Sequence, residues 1–190
     1  MGKIISLSGC RSIGKTTLIK GLKENMPELI TREGFRRTNL GLNMEIEEEY
    51  YDNERWYFKR EIDEFDEVKQ KKQDAIFLRG PEDLEFYALH YPITKGKQWN
   101  VEEHLVEEMK SLRKRRSDYI LYLTASEETI WNRCINDEEK KRNNLREWME
   151  DWEPYFDKYM MSLDNVVVLN TDELSANDVL EWTINWMKEI

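Results

Sequence analysis

The chain has 190 residues, 39% hydrophobic and 36% charged, with much of its apolar volume in 7 Trp, 9 Tyr and 6 Phe, which suits a single domain over 1–190 whose core needs no disulfide or metal. Its formal net charge of -10 repels a phosphate backbone and argues against nucleic acid as a partner. Cys10 and Cys134 form neither a disulfide framework nor a metal-ligand spacing, and a reducing, cytoplasmic compartment is expected.

The N-terminal apolar run, Ile4 to Ser8, is too short for a signal peptide, and nowhere are there the roughly 18 consecutive apolar residues of a membrane span. The run reads instead as a strand that ends at Gly9, with a helix from Thr16 to Lys23 after it. Glu28 to Arg32 reads as a second strand, because Pro27 blocks a helix just before it and Leu29, Ile30 and Thr31 favour extended structure. From Met44 to Lys72 there is no Pro or Gly, and Ile46, Tyr50, Trp56, Phe58, Ile62, Phe65 and Val68 recur at helical spacing. One long helix fits, as do two with a break near Asp52-Asn53.

Asp74 to Leu78, Asp118 to Leu123 and Val166 to Leu169 are short apolar runs that read as strands three to five. Helices are expected over Glu82 to Leu89, Val101 to Arg113, Ser126 to Asn136 with Ser126 as cap, Leu145 to Met161, and Ala176 to Glu189. Strands that alternate with helices call for a parallel sheet of about five strands, covered by helices on both faces in three layers.

Gly9-Cys10-Arg11-Ser12-Ile13-Gly14-Lys15-Thr16 has the spacing Gly-x-x-x-x-Gly-Lys-Thr between a strand and a helix, the arrangement of a phosphate-binding loop. Glycines let the backbone curl so that N–H groups meet phosphate oxygens, and the helix N-terminus adds positive partial charge. Lys15 is placed to neutralise β and γ phosphates of ATP, Thr16 to ligand Mg²⁺ and Thr17 to meet an α-phosphate oxygen. Cys10 fits as a small residue in the loop and receives no catalytic role.

Ligands of open parallel sheets sit beyond the carboxyl ends of the strands. After strand two, Glu33 is a candidate proton acceptor and Arg36 and Arg37 could bind an anion or simply be solvated. After strand three, Arg79 is a candidate phosphoryl clamp; Asp83 could reach Mg²⁺, or with Glu82 serve the dipole of a helix N-terminus. Arg133, Lys140, Lys141, Arg142 and Arg146 surround a polar stretch, about 136–146, that reads as a lid bringing cations to the transferring phosphoryl. Trp56 or Tyr57 is the one aromatic considered for base stacking; His90 and His104 lack partners for chemistry and are read as packing or surface residues.

The loop at 9–16, together with Thr31-Arg32-Glu33-Gly34, Leu78-Arg79-Gly80, and Tyr122-Leu123-Thr124-Ala125-Ser126 followed by Arg133 and Lys140-Lys141-Arg142, resembles the nucleoside and nucleotide kinase branch of P-loop proteins, including thymidylate and deoxynucleoside kinases. The resemblance implies a P-loop NTPase fold with a lid, Mg·ATP as cofactor, a small-molecule acceptor, an acceptor-side helical region at about 44–113, and catalytic roles for Glu33, Arg79 and Arg142 beside Lys15 of the loop. Nucleotide contacts would come from Gly9 to Thr17 and Arg133. The pattern departs at Leu78, where the family carries an acid before its arginine, so Asp83 or Glu33 must substitute. An ATP-binding regulatory module or slow ATPase is the competing reading, and the aromatic-rich helices are compatible with a homodimer.

Overall fold

The computed structural model describes residues 2–32, 40–136 and 145–190. The strands are β1 (Ile4–Gly9), β2 (Ile30–Arg32), β3 (Ala75–Leu78), β4 (Tyr119–Thr124) and β5 (Val166–Asn170). Helices α1 (Lys15–Asn25), α2 (Glu47–Lys71), α3 (Pro81–Thr94), α4 (Val101–His104), α5 (Val106–Arg113), α6 (Glu127–Ile135), α7 (Leu145–Asp151), α8 (Glu153–Met160) and α9 (Ala176–Glu189) lie between and after them. The sheet order is β2-β3-β1-β4-β5 and every pair is parallel.

β1 is buried along its whole length and sits at the centre of the sheet. One core cluster joins Ile5, Leu7, Leu18, Leu22, Leu121 and Phe156, and a second, around Tyr50, Phe58, Leu105 and Leu112, packs α2 against α3 and α5. Among the described residues no helix is long and apolar enough to cross a membrane.

α2 is the single long helix of the two alternatives, uninterrupted through Asp52-Asn53, a run of about 37 Å at 1.5 Å per residue; Asn53 is buried and its amide donates to Glu54 Oε1 at 3.0 Å. Three other elements differ from the periodicity-based reading. The 101–113 segment divides at Leu105, which turns fully into the core. The 145–161 segment divides at Trp152, because Pro154 has no N–H to return to Glu150. β2 is confined to Ile30–Arg32.

α3 exceeds its expected end at Leu89 and runs to Thr94 with Pro92 inside it. Proline removes the bond that the Ala88 carbonyl would receive from residue 92. Tyr50 of α2 supplies the replacement: its hydroxyl donates to Ala88 O at 2.6 Å, and its ring stacks on Tyr91 with centroids 5.1 Å apart. Tyr50→Phe keeps the stack and leaves that carbonyl without its donor, so a loss of about 1–2 kcal/mol is expected. The midpoint of urea unfolding measures it.

Candidate functional site

The loop after β1 takes its shape from steric limits. Gly9 has φ 136°, and a Cβ there would lie 2.5 Å from the Leu123 carbonyl oxygen, so the chain passes under β4 only as glycine. The chain returns through Ser12 at φ 63° and Gly14 at φ 105°, and Gly14 caps α1. Among the described residues, the non-glycine positions with positive φ are Ser12, Lys72 and Arg79. Lys72 is an ordinary helix C-cap, whereas Ser12 and Arg79 follow β1 and β3, where strained backbone marks a site.

Lys15 is buried and folds back over the loop, its Nζ donating to the carbonyls of Gly9 and Cys10 at 2.7 Å each. Thr16 and Thr17 lie exposed in the first turn of α1. Ile13 is buried, and its carbonyl accepts from Arg133 at 3.3 Å. Arg133 also donates to Thr171 Oγ1 at 2.8 Å and to the Thr171 carbonyl at 2.6 Å, so α6 ties the loop to the end of β5. Burial first, and the Glu153 carboxylate second, push the Cys10 thiol up; Cys10 is therefore a thiol packed in the wall.

At the end of β3, Leu78 is half-buried beside Leu7 and packs on the core. Arg79 follows with φ 65° and lays its guanidinium over Tyr87, 5.6 Å from the ring centroid. Gly80 must be glycine, since a Cβ would come 1.8 Å from Ser6 Oγ. This close approach brings the first turn of α3 onto β1, where Glu82 and Asp83 are both buried. Glu82 accepts from Ser6 Oγ at 2.8 Å, Ser117 N at 2.8 Å and Ser117 Oγ at 3.2 Å. Both acids do lie where the helix dipole favours them, but Glu82 is also an anchor to the sheet.

Asp83 differs. Its Oδ2 accepts from Ser8 Oγ at 2.6 Å, directly before Gly9, while its Oδ1 is buried with no hydrogen-bond partner among the described residues. Burial pushes its carboxyl up to about 6, against the opposing pull of Ser8, Arg79 and Lys15. A further buried acid on α2, Glu61, is pushed well above the carboxylate range by burial, then by Glu64, Glu82 and Asp83.

Asp83, Arg79 and Arg11 line one cavity of about 410 Å³. Its other walls include Tyr57 of α2, Tyr87 and Tyr91 of α3, Glu147 and Trp148 of α7, and Trp152 between α7 and α8, with Lys95 just after the end of α3. The expected residues thus fall into two groups beside one loop: Arg11, Arg79 and Asp83 on the cavity side, and Arg133 on the β5 side. Glu33, Arg36, Arg37, Lys140, Lys141 and Arg142 lie outside the described residues, as does most of the expected lid.

Tyr57 is a cavity wall, while Trp56 is 37% exposed with Arg60 against its ring. His90 is buried, stacked on Phe86 and bonded to the Asp151 carbonyl at 2.9 Å; His104 stacks on Tyr51. The sequence reading missed Ser8, Tyr87, Tyr91, Trp148, Trp152 and Thr171. Ser8 alone had an available signal, as a polar residue in an apolar strand next to the loop.

No protein-family model matches the chain, and no curated protein matches it either. Among solved structures, the thymidylate kinase from Candida albicans is similar in fold, with a TM-score of 0.65 at 13% sequence identity over 99% of this chain and 92% of that one. The architecture is therefore a thymidylate kinase-like α/β P-loop fold with a five-stranded parallel sheet.

The raised carboxyl of Asp83 makes a signed prediction. Folding favours its protonated form, so its contribution to stability is complete below 3.8 and is lost as pH rises through about 6. Asp83→Asn should gain on the wild type by on the order of 2–3 kcal/mol between about pH 4 and pH 7. Guanidinium unfolding of both proteins across that range measures the difference, and parallel curves would refute it.

Proposed function

We propose that this protein is a cytoplasmic ATP-dependent phosphotransferase that moves the γ-phosphoryl group to a small acceptor, a nucleoside or nucleoside monophosphate. The observation that carries the reading is the position of Asp83: bonded to Ser8 at the root of the loop, it lines a cavity with Arg79, Arg11 and aromatic rings. Pockets of this volume, mostly apolar with a few convergent polar groups, suit a small ring-bearing ligand.

The residues fit a nucleoside triphosphate with Mg²⁺. The loop holds two left-handed residues before a helix N-terminus, a geometry that gathers N–H groups into an anion-binding concavity. Ser12 Oγ is buried with no hydrogen-bond partner among the described residues, and Thr16 presents a hydroxyl on the exposed first turn of α1. Bound magnesium would supply charge neutralisation between the β and γ phosphates, with Thr16 as the residue to hold it.

Lys15 exchanges the Gly9 and Cys10 carbonyls for phosphate oxygens and offsets the charge that develops on them. Asp83, poised near 6, is ionised at neutral pH yet basic enough to take the proton of the acceptor hydroxyl. It thereby replaces the acid that Leu78 lacks. Arg79, held on Tyr87, binds the oxygens of the transferring group. Glu33 is the second candidate base, and Arg142 and Arg133 are candidate cations on the nucleotide side.

Protein incubated with Mg·ATP and a panel of ribo- and deoxyribonucleosides and their monophosphates is expected to release ADP only when an acceptor is present. Lys15→Ala should lower kcat at least about 100-fold, and near-normal kcat in that variant would sink the assignment of the loop. Wild-type kcat/KM should rise with pH through about 6, and Asp83→Asn should lose on the order of 100-fold or more in kcat. The half-buried Leu78 in place of an acid favours the second reading, an ATP-binding regulatory module or slow ATPase. That reading predicts tight ATP binding with no acceptor-dependent turnover.

A further inference from the structure

We infer that Lys95 is a specificity-determining residue of the proposed acceptor site: its ammonium binds an oxygen on the edge of the acceptor ring that points away from the loop, and so selects rings with a carbonyl there over rings with an amino group. The inference rests on the reading of the cavity as the acceptor site, and it adds the chemical group that the acceptor must present.

Asp83, Tyr87, Tyr91 and Lys95 follow one another at intervals of four residues, the spacing that puts side chains on successive turns of one helix side. All four line the cavity. Each step advances about 6 Å along α3 at about 1.5 Å per residue, so the row begins at the carboxyl beside the loop, passes two phenol rings and ends in a cation. The helix end fixes where that cation starts: the Lys95 N–H donates to the Pro92 carbonyl at 3.1 Å, and Gly96 follows at φ 63° with its N–H on the Ile93 carbonyl at 3.0 Å.

From there the side chain folds back. Tyr91 stacks on the fully buried Tyr50, with centroids 5.1 Å apart and planes 11° apart, and Lys95 Nζ lies over the Tyr91 ring, 5.9 Å from its centroid. Lys95 is exposed, and its Nζ has no hydrogen-bond or ion-pair partner among the described residues. The helix dipole favours a lysine at this end, but it does not account for an ammonium held over a wall of the cavity. An ammonium carries three N–H donors and no lone pair. A carbonyl oxygen facing it accepts from a cation, whereas an amino group sets donor against donor, the kind of mismatch that gives a site its selectivity. The aromatic walls present faces to any planar ring and make no such distinction. Glu147 is the other exposed charged side chain on the walls, and it would favour the amino group instead. No ring contact holds it over the cavity among the described residues, which is why the choice falls to Lys95.

Uridine and cytidine differ by a carbonyl or an amino group at one ring carbon, as do inosine and adenosine, and the same pairs exist as monophosphates. Wild type should use the carbonyl member of a pair with kcat/KM at least about 10-fold above that of the amino member. Lys95→Met keeps a stem beside Tyr91 and removes the charge with its donors. In that variant the KM for the carbonyl member should rise at least about 10-fold, the KM for ATP should stay within about 2-fold, and the preference should shrink to within about 2-fold. Lys95→Arg restores a cation with N–H donors and should restore the preference. Both variants change an exposed residue and should unfold at the wild-type urea midpoint. Equal use of both members by wild type, a preference that survives Lys95→Met, or one that is lost in Glu147→Gln and not in Lys95→Met would overturn this inference and leave the kinase reading intact. Absence of turnover with every acceptor would overturn both.

Discussion

Three buried carboxylates in the first two turns of α3 tie that helix to several neighbours at once. Glu82, Asp83 and Glu85 are all buried, and a buried carboxylate costs free energy unless it is hydrogen-bonded or paired, or is neutralised by a raised pKa. Glu82 meets Ser6 of the central strand and Ser117 before β4. Asp83 meets Ser8, and Glu85 takes Arg113 of α5 at 2.7 Å, Arg116, and the Tyr159 hydroxyl of α8 at 3.1 Å. The demand for partners thus fixes α3 simultaneously against the sheet, α5 and α8. Because α3 is fixed, so are Tyr87, Tyr91 and the cavity they bound.

Within that set, satisfaction is uneven, and the unevenness separates structure from chemistry. Glu82 has three donors and behaves as an anchor. Asp83 has a donor on one oxygen only, and it is Asp83 that lines the cavity and is pushed toward neutrality. Tyr50, by contrast, uses its hydroxyl to repair the helix at Pro92. Unused capacity alone does not mark the site, since Glu61 Oε1 is also buried with no hydrogen-bond partner among the described residues and Glu61 does not line the cavity.

Much of the fold was legible because its signals are local. The spacing from Gly9 to Thr16 and the short apolar runs give the loop and the five strands within a residue or two, since parallel strands buried on both faces read as continuous apolar stretches. Ser126 caps α6 as a short-range rule predicts. What escaped depends on tertiary partners. Nothing near Pro92 announces that Tyr50, 38 residues away from Ala88, would let the helix continue. Tyr87, Tyr91, Trp148 and Trp152 have the spacing of core residues, because a cavity wall and a core wall bury the same helix face.

The chain's charge bears on the site only through its distribution. A net -10 opposes an anionic ligand at long range, but exposed charges are screened beyond about 8–10 Å at physiological salt. Around the cavity the balance reverses: Arg11, Arg79 and Lys95 stand against Asp83 and Glu147, and Lys15 lies at the adjoining loop. Arg11 and Arg79 share the loop end with Asp83, whereas Lys95 lies one helix away at the end of α3. Positive charge thus gathers beside Asp83 at the loop end of the cavity, while the aromatic walls of α3 and its neighbours carry no charge of their own. Under the proposed phosphotransfer, an acceptor would put its hydroxyl at the loop end and a planar ring among the aromatic walls.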